Sequence, residues 1–420
     1  MGNERAWDTP EAMLSVDDAL ARILDRFSPL PAVETAILDA LGMVLSADVV
    51  STVDVPPFRN SAMDGYAIRA EDTASAPVAL SVVGEVAAGN VADRPVGRGE
   101  AIRIMTGAPV PDGADSVVRF EETDESARSG RSETPAIGIS RQIAVGENVR
   151  LAGEDLRSGQ IALQAGLRVG PAEIGVLASL NLAAVAVHRR PRVAILSTGD
   201  ELVEPGSDLR PGQIRDSNGV MLAAYVRQAG GEPILAGIAG DSTEDLRSKL
   251  RAFSAPDLFI TSGGVSVGDY DVVKDVLRAE GEIDIWQVRM KPGKPLAFGT
   301  IADVPLLGLP GNPVAALVSF LQFGRPAIRK MLGHRNLCLP EVDATLAAEL
   351  RNRGRRRHFV RGVVATTPSG FEAHPVAATG SAILSAASRA NCFIVVPEMC
   401  DVVEAGETVR VQLIDDVGLV

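Results

Sequence analysis

The strongest constraint on the fold lies between residues 190 and 333, where apolar runs of strand length alternate with stretches of helix length. RVAILS reads as a strand, SNGVMLAAYVRQAGG as a helix capped by Ser217 or Asn218 and stopped by Gly230, and PILAGIAG as the next strand. TEDLRSKLRAF (helix), DLFITSGG (strand), YDVVKDVLRAEG (helix), VPLLGLPG (strand) and NPVAALVSFLQFGRPAIRKML (helix) continue the series. Such alternation predicts a doubly wound, mainly parallel α/β sheet with helices on both faces. Ligands of such sheets sit outside the carboxyl ends of the strands. The loops at those ends are therefore where chemistry is expected.

STGDEL follows the first strand: Ser197, Thr198 and Gly199 offer hydroxyls and backbone N–H groups to an anion. Asp200 and Glu201 add carboxylates suited to Mg²⁺ or to a ligand's amino groups. TSGGVSVGDYD follows DLFI, where Gly263, Gly264 and Gly268 let the backbone approach a ligand and Ser262 and Ser266 supply hydroxyls. Asp269 and Asp271 are candidate metal ligands or proton acceptors. The order GxxxxGK[ST] is absent, and so is GxGxxG, so neither a Walker loop nor a dinucleotide fingerprint is present. MKPGKPLAFG sets Lys291 and Lys294 on a stiff proline-rich turn, an arrangement suited to a tetrahedral dianion. GLPGNPVAALVSF joins strand to helix, with Asn312 as cap and Pro313 in the first turn.

The flanks read differently. Ser15 caps a helix from about Val16, and a second helical stretch is expected over Val33–Leu41, ending at Gly42. From Val78 to Val149 short β-rich runs alternate with turns, and Thr123–Pro135 is expected as a hairpin tip. Pro171 begins a short helix that returns to the N-terminal segment, making one discontinuous unit. Residues 338–420 return to β character, expected as a small barrel or sandwich. The expected architecture is thus multidomain α/β plus β. It comprises a discontinuous helical N-terminal domain (8–52 and 149–182), a small β domain (53–148), the α/β domain (183–334) and a C-terminal β-barrel domain (335–420).

A net charge of −13 argues against nucleic acid as the main partner. The basic run Arg351–Arg361 reads as a charged edge strand or as help for an anionic ligand. Three scattered cysteines without a CxxC pair, and only four histidines, disfavour structural zinc and suit a reducing compartment. The N-terminus has no apolar signal region, and no apolar run reaches the ~18 residues of a membrane span, so a cytoplasmic protein is expected. None of His188, His334, His358 and His374 falls in a candidate loop, so histidine base catalysis is not expected. The chemistry expected is electrostatic, built from lysines, backbone N–H groups and a carboxylate-held metal around a polyanion.

PPFRNSAMDGYA, RIMTGAPVP, GEDL, LSTGDEL, TSGGVSVGDYD, MKPGKP and LPGNPV occur in one order. From about Leu14 to Leu413 that series resembles the MoeA family of molybdopterin molybdenumtransferases, whose eukaryotic relatives include the gephyrin E domain. The resemblance implies Mg²⁺-dependent insertion of molybdate into adenylylated molybdopterin, with release of AMP and finished cofactor. It implies an elongated four-domain subunit, 183–334 being the molybdopterin-binding domain, and a homodimer whose clefts are completed by the partner's β domain. Molybdopterin adenylyltransferase and molybdoenzyme acceptors are the further partners it suggests.

Residue by residue, the resemblance implies that Asp64 and Thr106 form the cross-subunit part of the cleft. It matches Asp155, Glu201, Asp241 and Asp271 to the functional carboxylates, with Glu201, Asp241 and Asp271 as metal candidates. Lys291 and Lys294 match the oxyanion-binding lysines. Pro310 and Pro313, with Gly311 and Asn312 between them, match the proline loop. Ser262, Gly263 and Gly264 match the nucleotide or pterin-phosphate loop. Arg356 and Ser381 match the outer molybdate region. Arg59 stands where many relatives have an acidic residue, and Ala315 where several have serine, removing a hydroxyl near the oxyanion. The alternatives are a molybdopterin adenylyltransferase and a non-catalytic, gephyrin-like scaffold.

Overall fold

The computed structural model describes residues 13–127, 136–253, 256–265, 272–377, 380 and 382–414. At its centre lies a six-stranded sheet built from β1 (Arg192–Thr198), β2 (Glu232–Ala239), β3 (Leu258–Ser262), β4 (Gly281–Gln287), β5 (Pro295–Ile301) and β6 (Val304–Leu309), in the order β2-β1-β3-β6-β5-β4. β2, β1, β3 and β6 run parallel to one another, whereas β5 is antiparallel to both β6 and β4. The reversal comes from a tight turn at Ala302 and Asp303, both at positive φ, with Ile301 opposite Val304. Two consecutive residues at positive φ match the twist of the flanking strands.

Alternate side chains of each strand enter different cores. Val193, Ile195, Leu258, Ile260, Leu307 and Phe298 face one side; Ala194, Leu196, Phe259, Leu306 and Ala297 face the other. The first face is covered by α1 (Val16–Asp25), by α3 (Ser217–Gln228), and by the run α6 (Pro313–Ser319), a π-turn Phe320–Gly324 and α7 (Arg325–Met331). The second is covered by α4 (Thr243–Arg251) and α5 (Val272–Glu280). The sheet is therefore doubly wound, as the alternation predicts. Pro326 explains the π-turn, because it has no N–H to give the Gln322 carbonyl and its ring crowds that oxygen.

Two helix details depart from expectation. Asp216, and not Ser217 or Asn218, caps α3, accepting from the Gly219 N–H at 2.9 Å. The helix starts one residue earlier, which leaves the Asn218 side chain free for the site below. Residues 33–41 are not helical: Ala32–Ala36 form a strand antiparallel to Ala184–His188. The stretch between Pro31 and Gly42 is too short to hold a helix alone, and a β-branched partner strand gives its backbone a better solution. Ser15 caps α1 as expected, its oxygen 3.0 Å from the Asp18 nitrogen. α2 (Pro171–Ser179) begins at the proline and packs with Leu45, Val169 and Val187.

The region before the sheet contains a five-stranded unit, ordered Ser116–Arg119, Gly65–Ile68, Glu100–Ile104, Val78–Val86, Ala136–Ile139. The hairpin tip expected within Thr123–Pro135 lies partly outside the described residues; Asp124–Ala127 form a 3-10 turn. At the other end, β7 (Glu341–Leu346), β8 (Arg357–Thr367), β9 (Gly370–Pro375), β10 (Cys392–Val396) and β11 (Thr408–Leu413) close into a barrel. It runs β8-β9-β7-β11-β10 and returns through β10–β8 pairing. Closure leaves no free edges. Val360, Val364, Ile394 and Val411 fill it, while Phe359 and Phe393 point outward into the core shared with the α/β sheet.

Candidate functional site

The carboxyl ends of β1, β3 and β6 meet, and the loops leaving them are tied to one another. The Gly263 N–H donates to the Leu309 carbonyl at 3.0 Å. Asn218, buried at the start of α3, donates through its side-chain nitrogen to Ser262 Oγ and to the Gly311 carbonyl, both at 2.8 Å. Thr198 and Ser262 are buried side by side, the Thr198 hydroxyl 3.4 Å from the Ser262 carbonyl. Gly263 sits at φ +92, and a Cβ there would lie 2.6 Å from the Thr198 carbonyl oxygen. Glycine is thus obligatory for the approach of these two loops. Ser197 Oγ and Asn218 Oδ1 are buried here without a partner among the described residues. Buried polar atoms normally have one, so unpaired groups gathered at strand ends mark a place for a polar ligand.

The loops after β1 and β2 are also neighbours, since the Asp241 N–H donates to Asp200 Oδ1 at 3.0 Å. Glu201 turns back so that its carboxylate lies against Gly199, where a Cβ would be 2.4 Å from Oε2. Asp200, Glu201 and Asp241 are all exposed. Asp155 is exposed in a separate loop, where its N–H donates to the Val55 carbonyl. Ser266, Asp271 and Ser381 lie outside the described residues.

β4 leads into the Lys291–Lys294 turn and β5 leaves it, so the antiparallel course of β5 brings both lysines to the same edge as the parallel strands' carboxyl ends. Met290–Lys291 also pair in parallel with Arg357–His358 at the start of β8. Between this turn, the Pro310–Pro313 loop and β8 lies a cavity of about 330 Å³. Lys291, Lys294, Pro310, Asn312, Ala315, Arg356, His358 and Arg361 line it, and among the described residues no carboxylate does. On a chain of net charge −13, this concentration of cations defines an anion pocket. Arg361 is buried, with its guanidinium on the Ile383 and Gly380 carbonyls.

His358 lies inside the basic run Arg351–Arg361 but in no glycine-rich loop, so the sequence does not single it out as a site residue. The signal that finds it is register: the parallel pairing sets it opposite Lys291. Burial first, then the charges of Lys291 and Arg356, push its pKa down to about 4. Asp64 and Thr106 form a pair in the β unit: Asp64 Oδ1 accepts from the Thr106 N–H at 2.7 Å and from its hydroxyl at 2.8 Å. The backbone bond, then the hydroxyl bond, hold the Asp64 carboxyl below its ordinary range. Among the described residues, no hydrogen bond links this pair to the α/β loops.

Fold and site together define a multidomain α/β protein with glycine-rich strand-end loops beside a cationic pocket. Family models match along nearly the whole chain: MoeA N-terminal region (domain I and II) over residues 14–181, probable molybdopterin binding domain over 194–330, and MoeA C-terminal region (domain IV) over 343–414. The chain is 37% identical over 406 residues to the molybdopterin molybdenumtransferase of Haemophilus influenzae, covering 95% of this chain and 98% of the relative. It is 38% identical to molybdopterin molybdenumtransferase 2 of Mycobacterium tuberculosis, covering 96% and 100%. The crystal structure of the MoeA protein from Pyrococcus horikoshii superposes with a TM-score of 0.80 at 32% identity, over 96% of this chain and 99% of that one. The chain belongs to the MoeA family of molybdopterin molybdenumtransferases and is a transferase enzyme.

Proposed function

We propose that this chain inserts molybdate into adenylylated molybdopterin, releasing AMP and the finished molybdenum cofactor. The observation that carries the reading is the Pro310–Pro313 turn, which borders two sites at once. On one side Gly311 is joined through Asn218 to Ser262 and the glycine loops; on the other Pro310 and Asn312 line the cationic cavity. A substrate with its phosphates over the loops at Ser197–Gly199 and Ser262–Gly264 has its other end beside a pocket built for a dianion. Lys291, Lys294 and Arg356 hold molybdate there by charge, and the surrounding protein strengthens that attraction over its value in water. Relatives named for molybdopterin and molybdenum support the assignment of the two ligands.

The acidic loops fit Mg²⁺ in the mode that uses one or two carboxylates and completes the shell with substrate phosphates and water. Asp200 and Asp241 are joined, Glu201 is adjacent, and among the described residues no three acidic, imidazole or thiol groups are placed to hold a metal ion by themselves. Glu201 and Asp241, with Asp271, are the proposed ligands. Bound Mg²⁺ would neutralise charge on the phosphates as AMP leaves. The proposed assembly is a cytoplasmic homodimer, in which the exposed Asp64–Thr106 pair of one subunit serves the other's cleft. Molybdopterin adenylyltransferase would hand over the substrate and molybdoenzymes would receive the product.

The test is molybdate- and Mg²⁺-dependent release of AMP from purified adenylylated molybdopterin by the full chain. AMP release that follows molybdate concentration is the expected result. Adenylylation of molybdopterin from ATP would instead establish an adenylyltransferase, and inertness in both assays a scaffold.

A further inference from the structure

We propose that the His358 imidazole serves as an uncharged hydrogen-bond donor to the oxyanion in the cationic cavity, presenting Nε2–H beside Lys291 and Arg356. The proposal rests on the reading of this cavity as the molybdate end of the site.

The ring lines the cavity, and its Nδ1 is buried with no hydrogen-bond partner among the described residues, which leaves Nε2 as the nitrogen available to a ligand. Parallel pairing with Met290–Lys291 places His358 in register with Lys291, at the cavity wall. The groups around it are basic: Lys291, Lys294, Arg356 and Arg361 in the cavity. Arg357, next in the chain, is engaged with Asp17 and Glu398, and the residue paired with His358 across β10 is Val396. In this company the imidazole is neutral near pH 7, its pKa held at about 4. A neutral ring has one N–H, and placing it on Nε2 gives the proton an acceptor as soon as an oxyanion enters. The donor thereby adds a hydrogen bond without adding to the mutual repulsion of the cations. Ala315 gives the same wall only a methyl group, and none of the described lining residues carries a hydroxyl.

A consequence concerns protons. A bound dianion offsets the field of Lys291 and Arg356, so the imidazole's pKa rises on binding. Proton uptake accompanies binding as pH falls toward the raised value and disappears well above it.

The experiment is calorimetric titration of the full chain with molybdate, in buffers of differing ionisation enthalpy, between roughly pH 6 and pH 8 where an imidazole can respond. The variants are His358→Phe, His358→Gln and Lys291→Ala, each checked by thermal melting. Gln keeps an N–H near the Nε2 position; Phe keeps only the ring. Loss of a hydrogen bond to a charged ligand corresponds to roughly ten- to hundredfold weaker binding in His358→Phe. His358→Gln is expected to bind within about threefold of wild type, a difference below one hydrogen bond, and to lose proton uptake. Wild-type affinity in His358→Phe, with Lys291→Ala impaired, would overturn the His358 role and leave the cavity reading standing. Equal weakening in folded Phe and Gln variants would also overturn it, assigning the ring to packing. Molybdate binding that is absent in the wild type, or indifferent to Lys291→Ala, would remove the cavity reading and the proposal together.

Discussion

Asn218 donates from one side-chain nitrogen to Ser262 Oγ and to the Gly311 carbonyl, 2.8 Å from each. It joins the loops after β3 and β6, which the chain separates by more than forty residues, into one surface. Asn218→Ala takes the donor from the buried Ser262 hydroxyl and from the carbonyl of the exposed Gly311. Leaving the buried group without its partner costs about 1–3 kcal/mol, so a lowered melting temperature and at least a tenfold fall in AMP release are expected. A variant with unchanged turnover would show that the loops keep their spacing without the bridge.

Gly263→Ala tests the approach of two loops directly. The backbone at φ +92 and a Cβ 2.6 Å from the Thr198 carbonyl oppose any side chain. Strain of this kind costs on the order of 1–3 kcal/mol. The expected variant melts earlier and has lost substrate affinity. An unaffected melting curve would mean that the β1 and β3 loops move apart freely.

Lys291→Ala removes one charge from the cavity, and about 1.5–3 kcal/mol for a charge-assisted contact corresponds to roughly ten- to hundredfold weaker use of molybdate. The loss should show as a higher molybdate requirement for AMP release, with pterin affinity less affected. Lys294→Ala is expected to behave alike. Equal damage to pterin binding would place the lysine against the wrong substrate.

Asp64 offers a titration. The Thr106 N–H and hydroxyl depress its carboxyl below the ordinary value of 3.8. A depressed carboxyl stabilises the folded state above the unfolded pKa, and that contribution fades as pH falls through the lower folded value. The window is therefore acidic, below 3.8, and neutral pH lies outside it. Carbon NMR of the Asp64 carboxyl should report the depression, and Thr106→Val, which keeps the N–H, should relieve only part of it. Full relief would make the hydroxyl the leading cause.

The α/β unit was legible because strands buried on both faces read as short, nearly continuous apolar runs, set between helix-length stretches with caps and stops. The loops at Ser197, Ser262, Lys291 and Pro310 were legible because glycine, proline and hydroxyl residues interrupt apolar runs at fixed places. What escaped were features decided by distant partners. Ala32–Ala36 is a strand because Ala184–His188 lies beside it. The Ala302–Asp303 turn lacks the Asn-Gly signal of its type, so the antiparallel β5 was hidden. Asp216 took the cap from its neighbours, and His358 reached the cavity through pairing between segments nearly seventy residues apart.

The two-residue pairing of Met290–Lys291 with Arg357–His358 bears on how this chain can be recombined. The barrel brings Arg356, His358 and Arg361 to the cavity, and the sheet brings Lys291 and Lys294. Neither half is a portable module. A chimaera that grafts a barrel from another chain inherits half of an electrostatic latch, and it recovers the rest only if those two ladder rungs and the Phe359–Phe393 interface are grafted with it.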